Sequence, residues 1–291
     1  MQTAKSHQNG LFPKITTIFV AFLVIGVVSY AGYLYISDQD SNYNDQIATI
    51  SRQIAVKSAE SAREAKRKEP VYITLPGAKT IRAIVEDYST DNSTWALVSK
   101  THAISVDYAP SDLKIPDVAT RTDKSDAERS VRSIIEKPLI NLFSAASNAG
   151  YQLMIGSGYR SAVLQKVYFD SLAASVGDPA ANQAIARPGQ SEHQTGLAVD
   201  LSTIARNCYL DNCFAQTGDG MWLVNNAYKY GFTLRYPSGK ELITGYQYES
   251  WHFRYVGVDL ATALHDSGLT LDDAWTYLVK ADATLRQNGA I

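Results

Sequence analysis

The most apolar stretch of the chain lies near its start. Residues 15–36 run without a charge and are rich in Ile, Val, Phe, Ala and Leu. A segment of this length can span a bilayer, which predicts a transmembrane anchor over 15–36. Lys5 and Lys14 precede the segment, and acidic residues follow it before the first base, Arg52. The positive-inside rule therefore predicts a cytoplasmic tail at 1–14 and an extracytoplasmic location for the rest of the chain.

Two alternatives to an uncleaved, single-pass anchor remain open. Ser29-Tyr30-Ala31 loosely fits the small-x-small site of a cleaved signal peptide, although the apolar run continues past Ala31. A buried soluble helix fits less well, because such helices rarely go so far without a polar face. Both membrane interpretations export the remainder of the chain.

A polar, helix-like segment follows the apolar run. Ile47, Ile50 and Ile54 recur at helical spacing among charged residues, and Pro70 ends the pattern. We interpret residues 37–92 as a stalk and linker, and we assign no function to residues 71–92. The alternative is an amphipathic helix packed on the domain itself.

Beyond residue 92, segments with strand-like alternation of apolar residues alternate with segments of helix-like periodicity. This pattern predicts an α+β domain over 93–288, with a small, mainly antiparallel sheet flanked by helices. The predicted strands are 151–155, 197–201, 232–236 and 251–256, and the predicted helices include 162–175, 221–230, 257–266 and 271–285.

Composition limits the kinds of partner that the protein could bind and bears on the compartment in which it works. The 27 Lys and Arg residues nearly balance the 29 Asp and Glu residues, so no basic surface indicates nucleic acid. The only cysteines, Cys208 and Cys213, lie close together in N-C-Y-L-D-N-C-F. In an oxidising compartment they are expected to form a local disulfide, with two free buried thiols as the alternative. A zinc ribbon would need a second pair.

Two of the five histidines lie in polar segments bounded by glycine and aromatic residues. These segments are S-E-H-Q-T-G-L-A-V-D-L (191–201) and E-S-W-H-F-R-Y-V-G (249–257). Two imidazoles and one carboxylate are a common ligand set for catalytic zinc. In a strand over 197–201, Asp200 points away from the apolar face. We therefore predict one Zn²⁺ held by His193, Asp200 and His252; the helical H-E-x-x-H arrangement is absent from the sequence.

Two further charged residues complete a hydrolytic hypothesis. Glu249, three residues before His252, is the predicted general base, provided that a turn or bulge brings both side chains to one face. Arg160, between a predicted strand and a predicted helix, suits a peptide's terminal carboxylate or a developing oxyanion. The alternatives are a surface glutamate and an exposed salt bridge.

Four segments, in order, resemble the VanY-type D-alanyl-D-alanine carboxypeptidases, zinc peptidases related to hedgehog domains. They are S-G-Y-R-S-x-x-x-Q (157–165), the first histidine segment (191–201), Y-G-F-T-L-R-Y-P (230–237) and the second histidine segment (249–257). The resemblance implies a hedgehog/DD-peptidase-like fold, the zinc ligands named above, Glu249 as base and Arg160 facing the substrate. It adds Gln165, Ser191, Tyr246 and Trp251 as substrate contacts. Relatives often have proline where this chain has Ser250.

The resemblance implies a function in the cell wall. We expect a zinc metallo-carboxypeptidase that removes the C-terminal D-alanine from peptidoglycan stem peptides. The close alternative is an L,D-carboxypeptidase acting on tetrapeptide stems. Two other classes remain open, a non-catalytic cell-wall binding module of the same fold and a tethered scaffold protein.

Overall fold

The structure is a computed structural model that describes residues 41–291, with side-chain environments from residue 46 onward. The predicted cytoplasmic tail and transmembrane anchor lie outside the described residues. Of the helices between residues 41 and 291, none combines the length and apolar character needed to cross a membrane. Residues Ala65–Ile291 form one compact unit.

The predicted stalk contains a long helix, α1 (Ser41–Arg67), which ends shortly before Pro70. Its side chains Ile50 and Ile54 are about half exposed, at 50% and 46%. Whether this helix acts as a spacer or packs elsewhere stays a prediction.

The centre of the domain is a four-stranded antiparallel sheet, which confirms the predicted sheet type. Its strands are β5 (Leu153–Ser157), β6 (Ala198–Thr203), β7 (Phe232–Leu234) and β8 (His252–Tyr255). The spatial order is β5-β6-β8-β7, so the two strands that carry the predicted metal ligands are neighbours. A register irregularity between Ile155 and Ser157 bends β5 near its end.

Within residues 68–291, short strands and eight α-helices surround this sheet. The strands form two pairs, β1 (Tyr72–Ile73) with β2 (Ile81–Arg82) and β3 (Leu113–Lys114) with β4 (Val131–Arg132). The helices are α2 (Asp126–Arg129), α3 (Glu136–Asn148), α4 (Ala162–Val176), α5 (Asp178–Ala184), α6 (Gly218–Asn226), α7 (Glu241–Thr244), α8 (Val258–Ser267) and α9 (Leu271–Asn288).

One face of the sheet packs against α3 and α6. Val199 and Leu201 of β6 join Leu139 and Leu142 of α3 and Leu223 of α6 in a core that excludes solvent. Strand alternation sends Asp200, between the two β6 residues, to the opposite face. The core therefore fixes which side of the sheet carries the polar residues.

A second core shows that the domain begins earlier than residue 93. Val71, Ile73 and Ile81, around the β1–β2 pair, are buried against Leu264 of α8 and Leu278 of α9. Residues 71–92, which the sequence analysis placed in the linker, thus belong to the compact unit. Their alternating apolar positions cover the C-terminal helices.

Candidate metal centre and substrate cleft

The pairing of two strands brings two predicted metal ligands together. Asp200 on β6 lies directly opposite His252 on β8 in the antiparallel register. The Nδ1 atom of His252 is 3.3 Å from Oδ1 of Asp200. Side chains at directly opposed positions share a face of the sheet, so this contact follows from the register.

A tight turn supplies the third residue. His193 lies in a 3-10 turn, Glu192–Thr195, that ends at Gly196 with a φ of +67°. A Cβ at Gly196 would lie 3.0 Å from side-chain atoms of both Arg132 and Leu113, so the close approach as well as the backbone conformation favours glycine. The turn directs Nε2 of His193 to within 3.3 Å of Oδ2 of Asp200.

The three residues form a candidate metal site whose chemistry fits zinc. One ligand atom from each of His193, Asp200 and His252 lies within 4.8 Å of the others, and all three side chains are buried. Oδ1 of Asp200 is a buried acceptor without a hydrogen-bond partner. A buried carboxylate oxygen with two imidazole nitrogens beside it is a donor set for Zn²⁺.

Both imidazoles are oriented by a group on the side away from Asp200. Nδ1 of His193 donates to the carbonyl oxygen of Gly158 at 2.6 Å, which leaves Nε2 for a metal. Nε2 of His252 lies 3.4 Å from Oε2 of Glu192, which leaves Nδ1 for the metal. Such partners fix the tautomer and the ring orientation of metal-binding histidines.

Glu192 is held by two arginines in the interior. Its Oε1 accepts from Nε of Arg235 at 2.8 Å and from Nη1 of Arg254 at 2.7 Å, and none of the three side chains is solvent-exposed. Burial raises the pKa of this carboxyl, but attraction to Arg235 and Arg254 dominates and holds it well below its ordinary value. The group therefore stays ionised beside His252.

The charge around His252 has a consequence for metal binding. Burial lowers the pKa of this imidazole, but the adjacent carboxylates of Asp200 and Glu192 outweigh burial and raise it to about 9. Since a metal-bound imidazole must be free of its proton at the ligating nitrogen, loading of the site near neutral pH displaces a proton.

The turn that the sequence predicts between Glu249 and Trp251 is present. The backbone N–H of His252 donates to the carbonyl of Glu249 at 3.3 Å, across Ser250 and Trp251. This turn brings Oε2 of Glu249 to 3.6 Å from Nδ1 of His252. Burial raises the pKa of Glu249 to about 7, and a bound cation would lower it.

Arg160 lies on the other side of Asp200. Its Nη2 is 3.9 Å from Oδ2 of Asp200, and its guanidinium also donates to Gln165 Oε1 and Ser157 Oγ, each at 3.1 Å. Gln165 in turn donates to the carbonyl of Ala186 at 2.6 Å. Arg160 Nε is buried without a partner. The arrangement presents a fixed cation next to the candidate metal site.

All the predicted site residues except the cysteines line one cavity of about 450 Å³. Ser191 is buried at its wall, and Tyr246 donates to the carbonyl of Gln190 at 3.0 Å. Trp251 borders the same space. A cavity of this size suits a small ligand or the end of a peptide.

Cys208 and Cys213 are joined by a disulfide bond. The cysteines themselves do not line the cavity. Tyr209 and Leu210, which lie in the loop between them, do.

Several residues of the site were not identified from the sequence. They are Glu192 with its two arginines, Arg235 and Arg254, and Tyr236, whose ring centroid lies 4.9 Å from that of His252. Glu192, Arg235 and Arg254 all lie within or next to the segments that carry the resemblance. The available signal was the position of Glu192 next to His193 and of Arg254 two residues after His252.

Comparison with known proteins identifies the family. The VanY family, described as D-alanyl-D-alanine carboxypeptidase, matches residues 128–258. The putative carboxypeptidase YodJ of Bacillus subtilis (strain 168) is 38% identical over 246 residues, which are 84% of this chain and 90% of that protein. The chain therefore belongs to the VanY family of D-alanyl-D-alanine carboxypeptidases.

Two solved structures share the fold. The LD-carboxypeptidase LdcB is 45% identical, with a TM-score of 0.61 and coverage of 64% of this chain and 87% of that one. A vancomycin-resistance D,D-pentapeptidase VanY variant, solved with Zn(II), is 30% identical, with a TM-score of 0.51 and coverage of 64% and 98%.

Replacing Glu192 by glutamine tests the support of His252. The variant keeps the shape of the side chain but removes the charge between Arg235 and Arg254, so we expect zinc affinity to fall about 10- to 100-fold. Stability is expected to fall by roughly 3 kcal/mol, because buried Arg254 loses its ion-pair partner and Arg235 keeps only Asp272. Competitive zinc titration and thermal unfolding measure the two effects.

The matched control is Glu241→Gln, at an exposed glutamate of α7. It is expected to leave both quantities unchanged. Wild-type zinc affinity in the Glu192→Gln protein would show that this carboxylate does not orient the ligand.

Proposed function

We propose that this protein is a zinc-dependent carboxypeptidase that removes the C-terminal D-alanine from peptidoglycan stem peptides. The observation that carries the proposal is the placement of Glu249 and Arg160 on either side of the three candidate ligands. Oε2 of Glu249 lies 3.6 Å from His252, and Arg160 lies 3.9 Å from Asp200. Membership of the VanY family supports the reaction class.

The site residues divide the work of peptide hydrolysis. Zinc, when bound by His193, Asp200 and His252, supplies a Lewis acid. Glu249 accepts the proton of the attacking water at its carboxylate and returns it to the leaving amine. Arg160 neutralises negative charge, either on the terminal carboxylate or on the oxygen of the attacked carbonyl.

The terminal residue of the peptide is assigned to the Arg160 side of the cavity. Arg160 is already fixed by Ser157 and Gln165, so its guanidinium needs little rearrangement to meet a carboxylate. Ser191 and Gln165 offer hydrogen-bonding groups there. Tyr246 and Trp251 form walls.

Two bonds are candidates for cleavage. The VanY family model and the zinc-bound VanY neighbour favour the D,D bond of a pentapeptide stem. The higher identity to LdcB, at 45%, favours the L,D bond of a tetrapeptide stem. Both reactions release D-alanine and use the same catalytic residues.

Removing the base tests whether the domain is an enzyme or a binding module. The Glu249→Ala variant is expected to lose about 100-fold or more in kcat, because proton transfer by a positioned carboxylate contributes that much. Its zinc content, measured by inductively coupled plasma mass spectrometry, is expected to stay near the wild-type level.

The control is Glu241→Ala, at an exposed glutamate of α7. It should turn over at the wild-type rate. An unchanged rate in Glu249→Ala would refute the assigned base.

Synthetic stem peptides decide between the two bonds. The purified protein, incubated with pentapeptide and with tetrapeptide, is expected to release D-alanine from the pentapeptide, measured by mass spectrometry. Release from the tetrapeptide alone would replace the D,D assignment by the L,D one. No release from either peptide by a zinc-loaded protein would overturn the proposed function.

We also propose that the domain works outside the cytoplasm, anchored through residues 15–36. The Cys208–Cys213 disulfide supports export, because such bonds persist in oxidising compartments. Protease added to intact cells without an outer membrane is expected to remove the domain from the membrane fraction. Complete protection, with the domain degraded only after lysis, would contradict this location.

A further inference from the structure

The loop closed by the disulfide has an unusual backbone. Three non-glycine residues in and beside it have positive φ angles, Arg206 and Cys208 at 56° and Leu210 at 49°. These are the only non-glycine residues with positive φ among residues 41–291. Each such residue costs roughly 1 kcal/mol or more, so the conformation persists only where the surroundings hold it. The disulfide is one such restraint.

The side chain of Tyr209 is a second restraint. Its hydroxyl accepts from Nη1 of Arg121 at 2.7 Å and lies 3.3 Å from the carbonyl oxygen of Gly156. A Cβ at Gly156 would lie only 2.8 Å from the Tyr209 ring, so the ring rests directly on the backbone of β5. Gly156 lies at the irregularity that leads to Ser157 and Arg160.

The far end of the loop contacts the segment that carries the base. Oγ of Ser250 donates to the carbonyl of Asp211 at 3.3 Å, and the backbone N–H of Ser250 donates to Oδ1 of Asn212 at the same distance. Ser250 is the residue between Glu249 and Trp251. The loop is thus fixed to both sides of the cleft.

Between these restraints, Tyr209 and Leu210 face the cavity that holds the candidate metal site. Leu210 keeps 39% of its surface exposed, which is a large apolar area for a residue at a polar cleft. Arg160, Gln165 and Ser191 account for the terminal residue of the peptide. The exposed apolar surface of Leu210 therefore remains for the part of the peptide on the N-terminal side of the cleaved bond.

We propose that Tyr209 and Leu210 are specificity-determining residues that contact the stem peptide on the N-terminal side of the cleaved bond, held in place by the Cys208–Cys213 disulfide. The inference rests on the proposed function and extends it. Apolar contact at Leu210 selects for a substrate long enough to reach the loop. Preorganisation by the disulfide and by Tyr209 reduces the entropy lost when the peptide binds.

Substrate length separates this role from a structural one. In Leu210→Ala, KM for the full stem peptide is expected to rise about tenfold, the effect of a few methylene groups in an apolar contact. The kcat value is expected to stay the same, and KM for an N-terminally truncated dipeptide or tripeptide is expected to stay at the wild-type value. The control, Leu242→Ala, changes a fully exposed leucine of α7 that does not line the cavity.

Reduction of the disulfide tests the second half of the proposal. In the Cys208→Ser/Cys213→Ser double variant, KM for the full stem peptide is expected to rise at least as much as in Leu210→Ala. Zinc content and kcat are expected to stay near wild type. If the double variant fails to fold, the wild-type holoenzyme titrated with a non-thiol phosphine reductant gives the same comparison.

Measuring binding without turnover separates a failure of the loop contact from a failure of the proposed hydrolysis. Calorimetry in a Glu249→Ala background gives the Kd of the intact stem peptide with and without Leu210→Ala. A weaker Kd for the long peptide alone supports the loop contact, even if the wild-type protein releases no D-alanine. Equal losses for long and short peptides, or no loss for either, would overturn the contact. An unchanged KM after reduction would overturn the role of the disulfide.

Discussion

The carboxylate of Glu192, buried between two arginines, connects the parts of the molecule on which the site depends. Arg254, on β8, also donates to the carbonyls of Thr94 and Ala96, at 3.1 and 2.9 Å. Arg235, just after β7, reaches Asp272 in α9 at 2.5 Å. The same carboxylate lies beside His252. These ion pairs and hydrogen bonds thus join the sheet, helix α9 and the segment around Thr94 and Ala96.

This arrangement is demanding, because burial of three charges is unfavourable unless each charge has a partner. Removing one partner from such a cluster typically costs about 3–5 kcal/mol, whereas an apolar replacement of the whole cluster is often tolerated. A purely structural role would therefore not require charge here. The proximity of Glu192 to His252 accounts for the charge, since the carboxylate orients the ring of a candidate metal ligand whose other nitrogen faces Asp200.

Much of the scaffold was predictable because its physical causes are local. Alternation in 197–201 placed Val199 and Leu201 in the core and Asp200 on the opposite face, and Pro70 marked the end of α1. The Glu192 cluster was not predictable in this way, since no periodic pattern marks a buried ion pair formed between residues more than 40 positions apart. The packing of residues 71–92 was not predictable for a related reason: their buried side chains contact α8 and α9, which lie far away in the sequence. The position of Tyr209 and Leu210 at the cavity depends on positive φ angles in this loop. Because the residues with these angles are not glycines, the conformation could not be predicted from the sequence.

The proposed hydrolysis requires one metal ion at the meeting point of β6, β8 and the turn before β6. X-ray diffraction from crystals of the zinc-loaded protein, with data collected on both sides of the zinc absorption edge, tests this most directly. We expect a single anomalous peak that marks one zinc ion. It should lie about 2.0–2.2 Å from Nε2 of His193, from a carboxylate oxygen of Asp200 and from Nδ1 of His252. A peak elsewhere, or no peak beside these three residues, would contradict the account.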